Sequence, residues 1–303
     1  MKILVILASY NGEKYIADQI NSILNQIQVD IELMIFDDCS FDHTINIIKE
    51  FNDSRIIIKQ NNQPTGSAAL NFLSAIKSIN NLYLYDYIAL ADQDDIWLSN
   101  KIFEATVHLL KNNASLYCSN LTLWDEDKNV KFLLRKDYPQ KQFDFLFEGG
   151  SAGCTYVLSI ELFIHLKNEI FNIELVSWPN LSHDWLIYFF ARLNNYKVFI
   201  DPTSNIIYRI HENNVHGQLN NNSLTSYIKR VKYIYSGWYF NHINHFIKLT
   251  PIGSEMRNIY NSYTNNWFTR IFVLLKYNFK LIRNNKKFLQ FAILSLMPRK
   301  YIK

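Results

Sequence analysis

Tyr87-Ile88-Ala89-Leu90-Ala91-Asp92-Gln93-Asp94-Asp95 runs an apolar strand straight into a knot of carboxylates. Charges crowded at a strand end need a cation or a functional reason. In extended backbone Asp92 and Asp94 project to one side while Gln93 points away. Short, hard oxygen ligands at that spacing suit Mg²⁺ or Mn²⁺, which keep waters and substrate phosphates as their remaining ligands. The competing reading is a helix cap ahead of a helix at Trp97, a role that Asp favours.

Working outward, strand and helix patterns alternate through the first hundred residues. Apolar Ile3 to Ala8 is followed by Ile16, Ile20, Ile23, Leu24 and Ile27 at helical spacing, then by Ile31 to Phe36. A helix near Asp42 to Phe51, a strand Arg55 to Lys59 and a helix near Ser67 to Ile79 lead into the quoted strand. This alternation predicts an α/β protein with a mixed, mostly parallel, Rossmann-like sheet flanked by helices. Ligands of such sheets collect beyond the carboxyl ends of the strands, which is where Ser9 to Gly12, Asp37-Asp38 and Asp92 to Asp95 fall. After a helix from about Leu98 to Lys111 the pattern loosens. Strands are expected at Leu116 to Leu123 and Cys154 to Ser159, on either side of the charged stretch Asp125 to Lys136. Gly149-Gly150-Ser151-Ala152-Gly153 is glycine-dense, and backbone without side chains permits close approach to a ligand.

With 303 residues, 49% hydrophobic and 15% aromatic, the chain can bury a substantial core and is not a disordered protein. No window approaches the roughly 20 apolar residues of a membrane-spanning helix, and the run behind Lys2 is too short for a secretory leader. Cys39, Cys118 and Cys154 are scattered without metal-ligand spacing, which fits reduced packing residues in a cytoplasmic protein. The net charge is +4, yet Glu255 is the last acidic residue and ten Lys or Arg follow it.

Other residues carry chemistry in suggestive places. Asp38 could accept the imide N–H of a pyrimidine base, or it could cap the helix that follows. Ser182-His183-Asp184-Trp185 opens an amphipathic helix: Ser182 is a suitable cap, and Asp184 either complements the helix dipole or serves as a general base in a cleft. After the strand-like run Asn205 to Ile207, alternation sets Arg209 and His211 on one face, the first suited to a phosphate and the second to a metal or to a structural loop role. His216 competes with His211.

Taken in order, Ser9-Tyr10-Asn11-Gly12-Glu13, Asp37-Asp38-Cys39-Ser40-Phe41-Asp42, Ala91 to Trp97, Gly153-Cys154, His183-Asp184-Trp185 and Tyr208 to Asn214 resemble the family 2 glycosyltransferases with the A-type nucleotide-sugar fold. The branch it is most similar to is the rhamnosyltransferase-like one. The resemblance implies an inverting, metal-dependent transferase moving a sugar, rhamnose among the candidates, from a nucleotide diphosphate to a saccharide or lipid-linked acceptor in surface polysaccharide synthesis. It implies Asp184 as catalytic base; Ser9, Tyr10, Asn11, Glu13, Asp38, Asp92, Gln93 and Arg209 as donor contacts; and Asp94, Asp92 and His211 around Mn²⁺ or Mg²⁺. The donor is then dTDP-rhamnose or a UDP-sugar. Two departures stand out: many members carry Glu-Asp where this chain has His183-Asp184, and Gly or Asn where it has Cys39. A non-catalytic nucleotide-sugar-binding assembly protein and a UDP-hexose transferase remain the alternatives.

The expected organisation is a catalytic domain over 1–216, with a nucleotide half to about 114 and an acceptor half over 115–216, then a basic amphipathic helical extension over 217–303. In the extension Lys276, Lys280, Arg283 and Lys287 form a basic stripe beside Phe268, Phe272, Leu275, Phe279 and Ile282. Such a surface rests on the inner face of an anionic membrane, or packs on the catalytic domain or on the second subunit of a homodimer. No nucleic-acid motif accompanies the charge.

Overall fold

A computed structural model describes residues 1–211, 231–232 and 235–297. The chain forms two compact units. One holds Met1–Asp137, Gly149–Ile173 and Ser182–His211; the other holds Tyr138–Glu148, Glu174–Leu181 and the chain from Glu212 onward. The expected boundary at 216/217, and His216 with it, lies outside the described residues.

The first unit is built on a seven-stranded sheet. Its strands are β1 (Lys2–Ser9), β2 (Asp30–Asp37), β3 (Ile56–Gln60), β4 (Tyr87–Asp92), β6 (Leu116–Ser119), β9 (Val157–Ser159) and β10 (Val198–Asp201), in spatial order β10-β6-β9-β4-β1-β2-β3. All neighbours are parallel except β9, which runs antiparallel to both β4 and β6. Residues Ile3 to Leu7 of β1 have no solvent exposure, as expected of a central strand covered on both faces. Helix α1 (Ile16–Leu24) buries Ile16, Gln19, Ile20 and Ile23, one stripe at helical spacing, and α3 (Ala68–Ser78) is capped by the Ser67 hydroxyl. From β1 the chain steps outward to β2 and β3, then returns to place β4 on the other side of β1. The carboxyl ends of β1 and β4 therefore flank the point where strand order reverses, the usual crevice of such sheets.

A smaller sheet, β5 (Ile96–Trp97), β11 (Ile206–Ile210), β7 (Leu121–Asp125) and β8 (Val130–Leu134) in that order, completes the unit. One expectation needs correction here. The strand expected over Leu116 to Leu123 is two strands in different sheets. Asn120 divides them, because its side-chain amide donates to Pro202 O at 2.7 Å and its oxygen accepts the Asp137 N–H at 3.1 Å. The charged stretch Asp125 to Lys136 turns through Asn129 at φ +49° into the β7–β8 hairpin.

In the second unit Phe147 is 1% exposed, and its ring lies 5.1 to 5.9 Å from Tyr263, Phe291 and Tyr260. Around it stand the helices Trp238–Leu249, Glu255–Asn265, Trp267–Tyr277 and Asn285–Ser295. The continuous basic stripe does not form. The helix ends at Tyr277, Asn278 takes a left-handed φ of +43°, and Arg283 is buried with its Nε 3.1 Å from the Glu148 carboxylate. Ile282 is buried as well. Among the described residues no helix is long and apolar enough to cross a membrane.

Candidate active site

Parallel register assembles the site. Ser9 pairs with Asp37 and Ala8 with Asp92, so the acidic ends of β2 and β4 flank the end of β1, about 10 Å apart at ordinary strand spacing. At the β2 end every acid is answered by donors. Asp37 accepts from the Ser9 hydroxyl at 3.0 Å and the Ser40 N–H at 2.9 Å. Asp38, 6% exposed, accepts from Asn61 Nδ2 at 2.8 Å, the Thr65 N–H at 2.7 Å and the Thr65 hydroxyl at 2.8 Å. Neither caps the next helix, α2 (Thr44–Glu50), whose cap position is His43. Cys39 has φ +64°, the left-handed conformation that favours Gly or Asn, so the departure in sequence sits on a turn that strains an ordinary side chain.

The loop after β1 is knitted to its neighbours by the residues expected at the nucleotide. Asn11 accepts the Phe41 N–H at 3.0 Å, and Glu13 accepts the His43 N–H at 2.9 Å. The Gln93 amide closes two bonds with the Tyr10 backbone, at 2.9 and 3.0 Å. A Cβ on Gly12 would stand 2.3 Å from that amide, so a side chain here would push Gln93 off the Tyr10 backbone. Asn11, Glu13 and Gln93 thus hold the loops in place, while the Tyr10 ring is half exposed beside them.

At the β4 end the acids face one another. Residues 93–94 form a turn, so Asp92 and Asp94 are brought together by a bend and not by strand alternation. The capping alternative also fails, since Trp97 lies in β5 and α4 (Lys101–Asn112) is preceded by Asn100. Burial, reinforced by Asp94 and then Asp184, pushes the Asp92 carboxyl up to about 7. Asp95 has no solvent exposure, and neither of its oxygens has a hydrogen-bond partner of normal geometry among the described residues. Its pKa is driven well up by burial and by Asp94 and Asp92.

Asp184 lies in the first turn of α5 (His183–Leu193), and its Oδ1 is anchored by the Trp185 N–H at 2.7 Å and by the Ser182 hydroxyl. Ser182 caps the same helix, so the structural role is real, and the carboxylate still lies within electrostatic reach of Asp92. The glycine loop packs against this helix. A Cβ on Gly153 would stand 2.3 Å from His183 Nε2, and one on Gly150 would stand 2.8 Å from the Tyr188 ring. These glycines let backbone approach protein side chains, which then fix the helix that carries Asp184.

His211 joins the cluster through Nε2, 2.7 Å from Asp94 Oδ2. Arg209 is engaged elsewhere. Its guanidinium sits 4.8 Å over Tyr15 and 5.0 Å over Trp124, is 3.0 Å from Glu126 and is ion-paired with Asp18, leaving Arg209 3% exposed. Tyr15 also meets the His211 ring at 5.1 Å, so the expected common face exists, but it braces the site from behind and offers no free guanidinium to a phosphate.

Three residues of the cluster were not singled out from sequence. Cys154 shares with Asp92 and Asp95 a group of donor atoms all within 4.8 Å of one another. Lys101, 2% exposed, holds Nζ 3.6 Å from the centre of the Trp97 ring, and burial lowers its pKa to about 7 against the pull of Cys154 and Asp95. Burial and the charges of Asp92, Asp95 and Asp94 raise the Tyr208 phenol far above its usual range, keeping it protonated among them. Gly153-Cys154 stood in the sequence pattern, and Tyr208 precedes Arg209; Lys101 reads as an ordinary helix-surface residue. The donor set suits a divalent cation, because the repulsion of Asp92, Asp94 and Asp95 is what a cation offsets. Asp92 and Asp94, half-buried beside the His211 imidazole, form the hard set. The Cys154 thiol makes the deeper group softer than Mg²⁺ or Mn²⁺ prefers.

Comparison with known proteins agrees with this architecture. The family profile described as glycosyl transferase family 2 matches residues 4–161. The chain is 41% identical over 236 residues to the dTDP-rhamnosyl transferase RfbG of Shigella flexneri, covering 77% of this chain and 80% of that protein. It is 32% identical over 188 residues to the Escherichia coli UDP-Glc:alpha-D-GlcNAc-diphosphoundecaprenol beta-1,3-glucosyltransferase WfgD, covering 59% and 71% of the two chains. The crystal structure of S. aureus TarS 1-349 in complex with UDP-GlcNAc superposes with a TM-score of 0.60 at 16% identity, covering 98% of this chain and 82% of TarS, a likeness of fold.

Proposed function

We propose that this chain, which belongs to glycosyl transferase family 2, transfers rhamnose from dTDP-rhamnose, with inversion, to a saccharide or lipid-linked acceptor of a surface polysaccharide. The observation that carries the reading is the placement of an anchored carboxylate, Asp184, beside the carboxylate cluster at the β4 end. The identity to a dTDP-rhamnosyl transferase supports the donor.

Glycosyl transfer needs two kinds of help: negative charge gathers on the leaving diphosphate, and the acceptor hydroxyl is a weak nucleophile at neutral pH. When bound, a Mg²⁺ or Mn²⁺ ion held by Asp92, Asp94 and His211 would supply the charge compensation. Asp184 takes the acceptor proton as its oxygen attacks the anomeric carbon from the face opposite the diphosphate. Its anchored Oδ1 fixes the orientation of the carboxylate, so little reorganisation is left for the reaction step. Asp38, held by its three donors, is positioned to receive the imide N–H of the base. His211 keeps Asp94 in place through the contact between them.

The test is release of nucleoside diphosphate from dTDP-rhamnose in the presence of acceptor. Asp184→Asn is expected to lower turnover by about 10² to 10⁴-fold, the range of general-base contributions, while calorimetry shows donor affinity within about twofold of wild type. Wild-type turnover in this variant removes the base assignment. A UDP-hexose donor is the second reading, favoured by the relation to a UDP-glucose-using enzyme. Thermal shifts with dTDP-rhamnose and UDP-glucose, each with Mn²⁺, separate the two, since the better ligand of the folded state raises Tm further.

A further inference from the structure

The Trp267–Tyr277 helix is apolar on two sides. Its inner side buries Val273, Leu274 and Tyr277, with Arg270 donating through Nε to Tyr263 O at 2.8 Å. Its outer side carries Phe268, Phe272 and Leu275 at spacings of four and three residues, and these are 77%, 60% and 73% exposed. A helix that is apolar all round normally has a partner on every side. Beside it the Asn285–Ser295 helix repeats the pattern, with Leu289 and Ile293, four residues apart, 54% and 63% exposed. The two helices are joined at the Trp267 end, where the indole N–H donates to Leu296 O at 3.2 Å and the Arg270 guanidinium to Ser295 O at 3.4 Å. Trp267 itself is half exposed, and indoles favour the boundary between water and lipid.

The charged side chains of these two helices and of the segment between them are all Lys or Arg. Lys276 Nζ stands 5.8 Å from the centre of the Phe272 ring, and Lys280, Lys286 and Lys287 are exposed on the segments that follow. No carboxylate occurs after Glu255 to offset them. That asymmetry decides the occupant. A two-fold contact between copies of the chain through this face sets lysine against lysine, whereas an anionic bilayer accepts the aromatic side chains and answers the charge together.

We propose that the outward faces of the Trp267–Tyr277 and Asn285–Ser295 helices dock on an anionic lipid surface, with Phe268, Phe272 and Leu275 entering the acyl boundary and Lys276 and Lys280 meeting the headgroups. This deepens the reading of a lipid-linked acceptor and rests on it for its biological purpose only, because docking is measured without donor or acceptor. The assay is co-sedimentation of the full chain with vesicles of phosphatidylcholine alone or with 30% phosphatidylglycerol. Binding is expected to the mixed vesicles and to fall at least tenfold in Phe272→Ser/Leu275→Ser, whose exposed positions leave the fold intact by near-ultraviolet circular dichroism. Lys276→Gln/Lys280→Gln is expected to lose about thirtyfold on the mixed vesicles and to weaken the dependence on phosphatidylglycerol, at the usual contribution of each lysine near an anionic surface. Nucleoside diphosphate release in solution stays unchanged in both double variants, so failure of docking and failure of the transferase reading are distinguishable. Unchanged sedimentation in Phe272→Ser/Leu275→Ser overturns the proposal. So does a dimer in light scattering that the same variant dissociates while wild type ignores vesicles.

Discussion

Two strand ends, one strand apart in the same sheet, treat their carboxylates in opposite ways. At the end of β2, Asp37 and Asp38 are matched donor for donor by Ser9, Ser40, Asn61 and Thr65. At the end of β4, Asp92, Asp94 and Asp95 crowd one another, with His211 beside Asp94 and Cys154 beside the other two, and burial raises the cost of charge on Asp92 and Asp95. The first arrangement is complete as folded protein. The second is electrostatically unfinished, and stored repulsion of this kind marks a place prepared for a positive ligand. The difference also explains the surrounding residues: His211 contacts Asp94, and Lys101 lies within electrostatic reach of Asp95.

The comparison can be broken at its strongest point by Asp94→Asn. Turnover is expected to fall by about 10² to 10³-fold, comparable to removing one electrostatic stabiliser of a developing charge, and calorimetry should lose the Mn²⁺ dependence of donor binding. Equal donor affinity with and without Mn²⁺ in wild type would falsify the metal role. Next in size is Asp38→Ala, which strands the donors of Asn61 and Thr65 and is expected to cost about 1 to 3 kcal/mol in urea denaturation. The opposite sign is expected of Asp92→Asn in chelator-treated protein. Removing a repelled charge should hold or raise Tm by a few degrees while transfer is lost; a clear fall in Tm would show that Asp92 is compensated after all.

The smallest effect is the pH dependence. The Asp92 carboxyl has a raised pKa in the folded state, so between its ordinary range near 4 and about 7 the folded chain binds more protons than the unfolded one. Stability contributed by this group is therefore present below about pH 4 and is lost as pH rises towards 7. Chelated enzyme should show Tm falling across that window, and saturating Mn²⁺ should flatten the fall. A Tm that rises between pH 5 and 7 in both conditions would contradict the picture of unbalanced carboxylates.

Much of the site was legible because strand ends are where apolar runs stop. The acids of Asp37-Asp38 and of Asp92 to Asp94 come where Ile31 to Phe36 and Tyr87 to Ala91 stop, and parallel register then places the two ends on either side of β1. What sequence could not show was the bookkeeping of donors. Arg209 and Arg283 look alike as free cations, yet one is closed in by Tyr15, Trp124 and Asp18 and the other by Glu148 and Asp144. Lys101 falls in the first turn of a helix, a position usually solvated, and its neighbour across the fold, Cys154, is far away in the chain. The one-strand expectation over Leu116 to Leu123 failed for the same reason, since Asn120 bends the chain by bonds to Pro202 and Asp137.

By itself the sequence determined the alternation of strands and helices, the parallel sheet and the address of the acids at its carboxyl edge, because periodicity and strand termination are local properties of the chain. Only the tertiary structure decided which acids are satisfied and which are left in repulsion, which cations are enclosed, and which apolar helix face is turned to solvent. Those outcomes depend on partners as distant as Asp18 from Arg209, and a buried charge is defined by what stands around it in space.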